Sequence, residues 1–285
     1  MKIYSRDPLY IKEEIPIFSE SNDYTENYEK IAVDAISMIQ ETGQNQWIQE
    51  DLWLELEGST ADLIKKYSKP GDTILDIGVG FGRLLDWFPH MQRFGLDISL
   101  ELLKKARTKG IEVCYSQIED MPYNPDIFDI IVCTDVLEHV KDLNFCCQKI
   151  LESLKPEGFL IIRTPYKEDL KPYLSPGYPY KYAHLRTFDE TTFHFLFTRI
   201  LPDCNVIEIT FVGYRGVYGG STPESLPTPD RIKYPVSPLL EFFFNSPKLM
   251  KLLKKVHPKK YRSLLSEMYL PIEMNVVVQK KKNPC

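Results

Sequence analysis

The segment ILDIGVGFGRLL, Ile74 to Leu85, sets one acid and three glycines, Asp76, Gly78, Gly80 and Gly82, on alternate positions behind a short apolar run. Glycine lets a backbone approach a ligand with no side chain intervening, so the N–H groups of such a loop can reach it directly. The spacing is G-x-G-x-G, not the G-x-G-x-x-G that cradles a dinucleotide pyrophosphate, and an ionisable side chain stands where that fingerprint carries an apolar or small residue. A carboxylate at Asp76 suits a ligand that carries an ammonium group. Asp97 follows roughly 20 residues later, at the end of the next apolar run, where an acid can accept hydrogen bonds from both hydroxyls of a ribose. Together the two acids describe an amino acid joined to a nucleoside, with no pyrophosphate between them.

A second constellation lies in TDVLEHV, where Asp135, Glu138 and His139 stand at i, i+3 and i+4. On a helix this spacing gathers all three on one face. Two carboxylates and an imidazole can ligate a divalent cation, and His184 in YAHLRTFDETTF is a candidate fourth ligand. The same residues admit other roles. His139 can be a hydrogen-bonded helix residue and His184 a contact of a substrate pocket, and either can act as a general base, because an ordinary imidazole titrates in a useful range.

Positioning these groups requires strands that end at one edge. The runs TILDI, RFGLD, IEVCY, FDIIVC and FLIIR are short and β-rich, and helix-like segments separate them. Runs this continuously apolar are buried on both faces, as in a parallel sheet with helices on each side. Asp142 is placed to cap a helix between the fourth and fifth runs. Residues 24–57 read as helical but precede the sheet, so residues 1–57 are expected to form an N-terminal helical extension or lid. Residues 58–215 then form the ligand-binding core, 216–270 an insertion, and 271–285 the last core strand and tail. Within the insertion, Leu249, Leu252, Leu253 and Val256 share a helical stripe opposite Lys248, Lys251, Lys254 and Lys255, a short basic amphipathic helix. Such a helix can pack on the domain or meet an anionic lipid surface. Tyrosines and prolines crowd 165–182 and 214–235, which are expected to roof a second pocket.

From Thr73 to Arg163 the sequence resembles the class I S-adenosylmethionine-dependent methyltransferases, with successive motifs in order. ILDIGVGFGRLL resembles that family's first motif and GLDISLELLKKAR its second, with Asp97 as the ribose acid. SQIEDMPYNPDIFDIIVCTDVLEHV resembles the adenine-side and fourth-strand motifs, and KILESLKPEGFLIIRTP the fifth-strand segment. The resemblance implies an α/β fold: a Rossmann-like, seven-stranded, mostly parallel sheet with helices on both faces, an antiparallel last strand and an insertion before it. It implies S-adenosylmethionine as cofactor, with Asp76, Gly78, Gly80 and Gly82 holding the methionine part. Gln117 and Ile118 would meet the adenine, Ile98 could pack on the adenine face, and Asp135 would stand between cofactor and acceptor. Relatives often carry an acid where Gln117 stands; its amide oxygen can still accept a hydrogen bond. The Asp135, Glu138, His139 and His184 set is similar to that of metal-assisted O-methyltransferases acting on polyprenyl-quinones or RNA ribose, although the first position there is usually Glu. Many relatives with LEHV use no metal.

The formal net charge of −5 gives no general attraction to nucleic acid, whose backbone binding needs a positive field. No apolar run approaches the roughly 18 residues of a membrane span, and the charged start MKIYSRDPLYIKEEIP does not read as a signal peptide. The chain is therefore expected to be cytoplasmic, with peripheral membrane contact left to the insertion. Six cysteines without metal-type spacing read as reduced and structural. The expected activity is methyl transfer to an oxygen, before a nitrogen, of a small-molecule or lipid-linked acceptor. Three alternatives stand beside it: a metal-assisted RNA ribose methyltransferase, an NAD-dependent oxidoreductase and a non-catalytic cofactor-binding partner protein. The acidic total argues against the first, the glycine spacing and Asp76 against the second, and the intact motif residues against the third.

Overall fold

A computed structural model describes residues 3–43, 45, 48–214, 252, 253, 255–268 and 270–282. In chain order the described elements begin with β1 (Tyr10–Lys12), β2 (Ile15–Ile17), α1 (Asp23–Thr42), α2 (Glu50–Tyr67), β3 (Thr73–Ile77), α3 (Arg83–Asp86), β4 (Gln92–Asp97) and α4 (Leu100–Arg107). They continue with β5 (Glu112–Tyr115), β6 (Phe128–Thr134), α5 (Leu143–Ser153), β7 (Leu154–Pro165), α6 (Glu190–Phe195), β8 (Cys204–Val212), α7 (Pro258–Met268) and β9 (Glu273–Lys280).

Every residue of β3 is buried, because helices cover both faces of the sheet it centres. Side chains alternate across a strand. Leu75 and Ile77 therefore join one core with Cys146, Cys147 and Ile150 of α5 and Phe193 of α6. Ile74 points the other way, into a core with Ala61 and Ile64 of α2 and Leu103 and Ala106 of α4. The strand order is β1-β2-β5-β4-β3-β6-β7-β9-β8. From β5 to β7 all pairings are parallel, and β9 runs antiparallel between β7 and β8. The chain moves outward from β3 to β4 and β5, then returns to β6 on the other side. Open α/β sheets bind ligands beyond the strand ends at this reversal.

The expected seven strands are present, and two more extend the sheet to nine. The N-terminal extension thus begins as a hairpin whose second strand lies parallel to β5 through Ile17 and Tyr115. Ile15 and Ile17 are buried there, while β1 is exposed. The extension then turns helical as expected. Asn22 caps α1 by accepting from Tyr24 and Thr25 N–H at 3.0 and 3.2 Å. The expected boundary at residue 57 falls inside α2. Of the basic stripe, Lys248, Leu249, Lys251 and Lys254 lie outside the described residues, and Leu252 and Val256 are exposed. Of the 214–235 segment only Tyr214 is described. Five cysteines are free and buried. Among the described residues no helix is long and apolar enough to cross a membrane.

Candidate functional site

The glycine loop leaves β3 as a tight turn with Gly78, Gly80 and Gly82 all in the left-handed region. At Gly78 a Cβ would stand 2.3 Å from Val136 Cγ2, so the turn needs glycine for space as well as for its φ of 72°. Gly80 donates its N–H to Asp97 Oδ2 at 2.9 Å, and Ser99 N–H donates to Asp97 Oδ1 at 2.9 Å. Asp97 therefore ties the end of β4 to the loop and keeps lone pairs for a ligand. Burial pushes its carboxyl up to about 6 against the pull of these N–H donors.

Beside this turn lies a cavity of about 280 Å³. Gly78, Gly80, Asp97, Ile98, Gln117, Ile118 and Asp135 line it, so seven of the nine expected contacts come together. Two do not. Gly82 faces away, where a Cβ would meet Ile111 Cδ1 at 2.6 Å and Ala106 at 3.1 Å; its missing side chain lets the loop pack on α4. Asp76 lines neither cavity and is buried behind the turn with no hydrogen-bond partner on Oδ1. Burial, then the charge of Asp97, raises its carboxyl well above the ordinary range, and Arg163 opposes the shift.

The roof of this cavity is α1, through Tyr24, Tyr28, Ile31, Ala32 and Ala35. None of these was among the expected contacts, because nothing in a helix remote in sequence marks which face will close on a strand edge. Asn22 also reaches the site, donating to Gln117 Oε1 at 3.4 Å. A segment after β7 holds α1 in place. Asn27 and Tyr182 exchange two hydrogen bonds of 3.1 Å, and Tyr180 donates to Asp34 at 3.1 Å.

A second cavity, of about 340 Å³, adjoins the first: Tyr28, Ile31, Asp135 and His139 line both. The expected helical face at 135–139 is not formed. Asp135 takes a left-handed φ of 56° and residues 137–139 make a turn, because the helix starts only at its Asp142 cap. The turn nevertheless converges three of the four expected ligands. Glu138, His139 and His184 offer one ligand atom each, all within 4.8 Å of one another. Asp135 is outside that cluster and forms an ion pair with Arg163. Arg163 is buried in β7, pairs also with Glu273 at 2.6 Å and donates to Thr60 at 3.3 Å. Arg163 and Glu273 were missed because each lies in an apolar strand; only an ion in such a run could have signalled them.

The outer partners of the cluster fix its geometry. Tyr28 Oη lies 2.9 Å from His139 Nδ1, His184 Nδ1 bonds Glu168, and Thr164 donates to Glu138 Oε2 at 3.1 Å. Burial, then the nearby His184, depresses His139 well below the ordinary imidazole range. Burial also disfavours a charge on His184, but the Glu168 hydrogen bond and the surrounding carboxylates raise it. Glu138 is pushed up by burial. Oε1 of Glu138 and Oδ1 of Asp135 are buried without a hydrogen-bond partner.

Residues 75–162, which span the glycine turn, Asp97 and the 135–139 turn, match the family model described as a methyltransferase domain. A methyltransferase domain is thus matched by residues 75–162. An uncharacterized protein of Methanocaldococcus jannaschii is 36% identical over 109 residues, covering 38% of this chain and 48% of that protein. A ubiquinone biosynthesis O-methyltransferase of Xanthomonas campestris is 34% identical over 104 residues, covering 33% of this chain and 44% of the enzyme. The chain thus spans less than half the length of these curated relatives. An S-adenosylmethionine-dependent methyltransferase of Thermotoga maritima shares the fold, with a TM-score of 0.53 at 15% identity over 90% of this chain and 99% of that one. The hairpin β1–β2, α1 and α2 all precede the matched residues, yet α1 supplies walls of both cavities and α2 a wall of the second.

Proposed function

We propose that the protein transfers the methyl group of S-adenosylmethionine to an oxygen, before a nitrogen, of a small-molecule or lipid-linked acceptor. One observation carries this reading: the cavity bordered by the glycine turn and Asp97 shares a wall, at Tyr28, Ile31, Asp135 and His139, with a second cavity. S-Adenosylmethionine supplies a methyl on a sulfonium, whose C–S bond breaks with its electron pair going to sulfur, so an aligned acceptor oxygen needs little further activation. Asp97 offers its carboxylate to the ribose, Ile98, Gln117 and Ile118 border the adenine space, and Gly78 and Gly80 border the methionine end, with the Asp76 carboxyl buried behind their turn. Asp135 Oδ1, at the boundary, accepts a hydrogen bond from the acceptor hydroxyl, orients its lone pair towards the methyl and takes its proton as the O–C bond forms. His139 stays neutral and presents a second acceptor there, while Tyr28 fixes its ring.

The test is incubation with methyl-labelled cofactor and fractionated metabolites. Label is expected in a small-molecule or lipid fraction and is expected to vanish with Asp97→Ala; label confined to protein or nucleic acid would contradict the reading.

Convergence of Glu138, His139 and His184 favours a second reading, in which a divalent cation orients and acidifies the acceptor hydroxyl. The residues fit such an ion: both imidazoles have Nδ1 engaged by an outer partner, and Glu138 Oε1 has none. Calorimetric titration with Zn²⁺ or Mn²⁺ should then give one site per chain that His184→Ala removes, and no binding in the unaltered protein discards this reading.

A further inference from the structure

The wall of the second cavity is aromatic. Tyr28, Trp53, Tyr173, Tyr178, Tyr180 and Tyr182 all face it. Its floor is acidic, with Asp135, Glu138, Glu168 and Glu273 among its lining residues. Among the described residues, each cation that lines it is already engaged: Arg163 with Asp135 and Glu273, and His184 with Glu168. Lys30, Lys141 and Lys181 stand over the rings of Tyr180, Tyr24 and Tyr182 but do not line the cavity. Among the described residues an entering carboxylate or phosphate would meet no open cationic donor and several acids. Two acceptor atoms, by contrast, wait for a donor: Oε1 of Glu138, whose side chain is 1% exposed, and Oδ1 of Asp135. Buried acceptors without partners are costly, and a donor supplied by a ligand removes that cost. Aromatic faces add attraction for a positive nitrogen, strongest where water is excluded.

From this we infer that the acceptor molecule carries an ammonium group beside its hydroxyl: an aminated, single-ring-sized alcohol or phenol, not an acid or a phosphate ester. The inference rests on the methyl-transfer reading, since it concerns the acceptor cavity of that reaction. The ammonium docks within the tyrosine wall on Glu138 Oε1, and Asp135 Oδ1 is left to the hydroxyl. A cavity of about 340 Å³ suits a ligand of that size.

The experiment uses three phenols that differ only in their charged end: tyramine, 4-ethylphenol and 4-hydroxyphenylacetate. Each is titrated by calorimetry into the full chain saturated with S-adenosylhomocysteine, with EDTA present so that no metal bridges an anion. Tyramine is expected to bind at least about ten-fold more tightly than 4-ethylphenol, as one charge-assisted hydrogen bond would give, and 4-hydroxyphenylacetate most weakly. Glu138→Gln should bring tyramine close to 4-ethylphenol while leaving the neutral phenol within about two-fold. Equal binding of all three, tighter binding of the anion, or no tyramine heat at about 10 mM overturns the inference. Failure of S-adenosylhomocysteine itself to bind strikes the methyl-transfer reading instead.

Discussion

Asp97 gives cofactor binding a pH dependence whose sign and size follow from its surroundings. Its carboxyl is buried and pushed from an ordinary 3.8 up to about 6, although two N–H groups already stabilise its charged form. A ribose diol would donate two more hydrogen bonds, and bonds to a charged group are worth about 1.5–3 kcal/mol each. Only ionised Asp97 can accept both. At pH 5 roughly one chain in ten has it ionised, so the apparent Kd for S-adenosylhomocysteine should be about ten-fold weaker than at pH 8, with the midpoint near 6. For the empty protein the sign is opposite. A carboxyl raised on folding contributes stability that is complete below 3.8 and lost as pH rises through about 6, a loss of about 3 kcal/mol at neutral pH. The assay is calorimetry from pH 5 to 8 on the unaltered protein and on Asp97→Asn. Their difference cancels any titration of the ligand itself. A Kd that falls with pH in both proteins alike, or in neither, refutes the assignment of Asp97 to the ribose.

Two further substitutions separate packing from ligand contact. Gly78→Ala should destabilise more than Gly80→Ala in thermal melts, because the first Cβ collides with Val136 while the second makes only an ordinary contact with Gly78 O at 3.9 Å, and both pay about 1–2 kcal/mol for a left-handed φ. Equal melting temperatures would show the turn to be more compliant than drawn. Arg83→Ala should cost about 2 kcal/mol in denaturant unfolding by stranding buried Glu57, and adding Glu57→Gln should recover most of it; an unchanged midpoint on Arg83→Ala means the pair is incidental.

Much of the scaffold could be read from the chain because its signals are local. TILDI and FDIIVC have no polar face to present, so they had to lie inside a sheet, and they pair directly through Ile74 and Ile130. Asp142 caps α5 by accepting from Phe145 N–H at 3.1 Å, as its position before an apolar run requires. Other features depend on partners far away. The strands β1 and β2 have three residues each, one holding Pro16, too short for alternation to speak. The spacing of Asp135, Glu138 and His139 is helical in sequence but not in space. Pairing with Arg163 from β7 and the space taken by Val136 beside Gly78 decide the turn, and neither is visible within seven residues. Gly82 looked like its two neighbours, yet only the position of Ala106 reveals that it serves the core.

Which buried groups lack partners distinguishes the cavities from the rest of the interior. Among the described residues, Asp76 Oδ1, Asp135 Oδ1 and Glu138 Oε1 are carboxylate oxygens with no hydrogen bond; Asp76 is the last but one residue of β3, and the other two follow β6. Glu29 Oε2 is a fourth, on the roof helix, and lines neither cavity. Each such oxygen costs about 1–3 kcal/mol in the empty protein, and Asp135 adds the strain of its φ. Against a total stability of about 5–15 kcal/mol these are large penalties. Amides or apolar residues in their place would remove these penalties. For Asp135 and Glu138, which line the second cavity, the placement follows if the missing donors come from outside the chain, from the acceptor molecule. The same penalties make the empty site a store of binding energy, so ligands that supply those donors gain affinity in proportion to the stability the protein gives up without them.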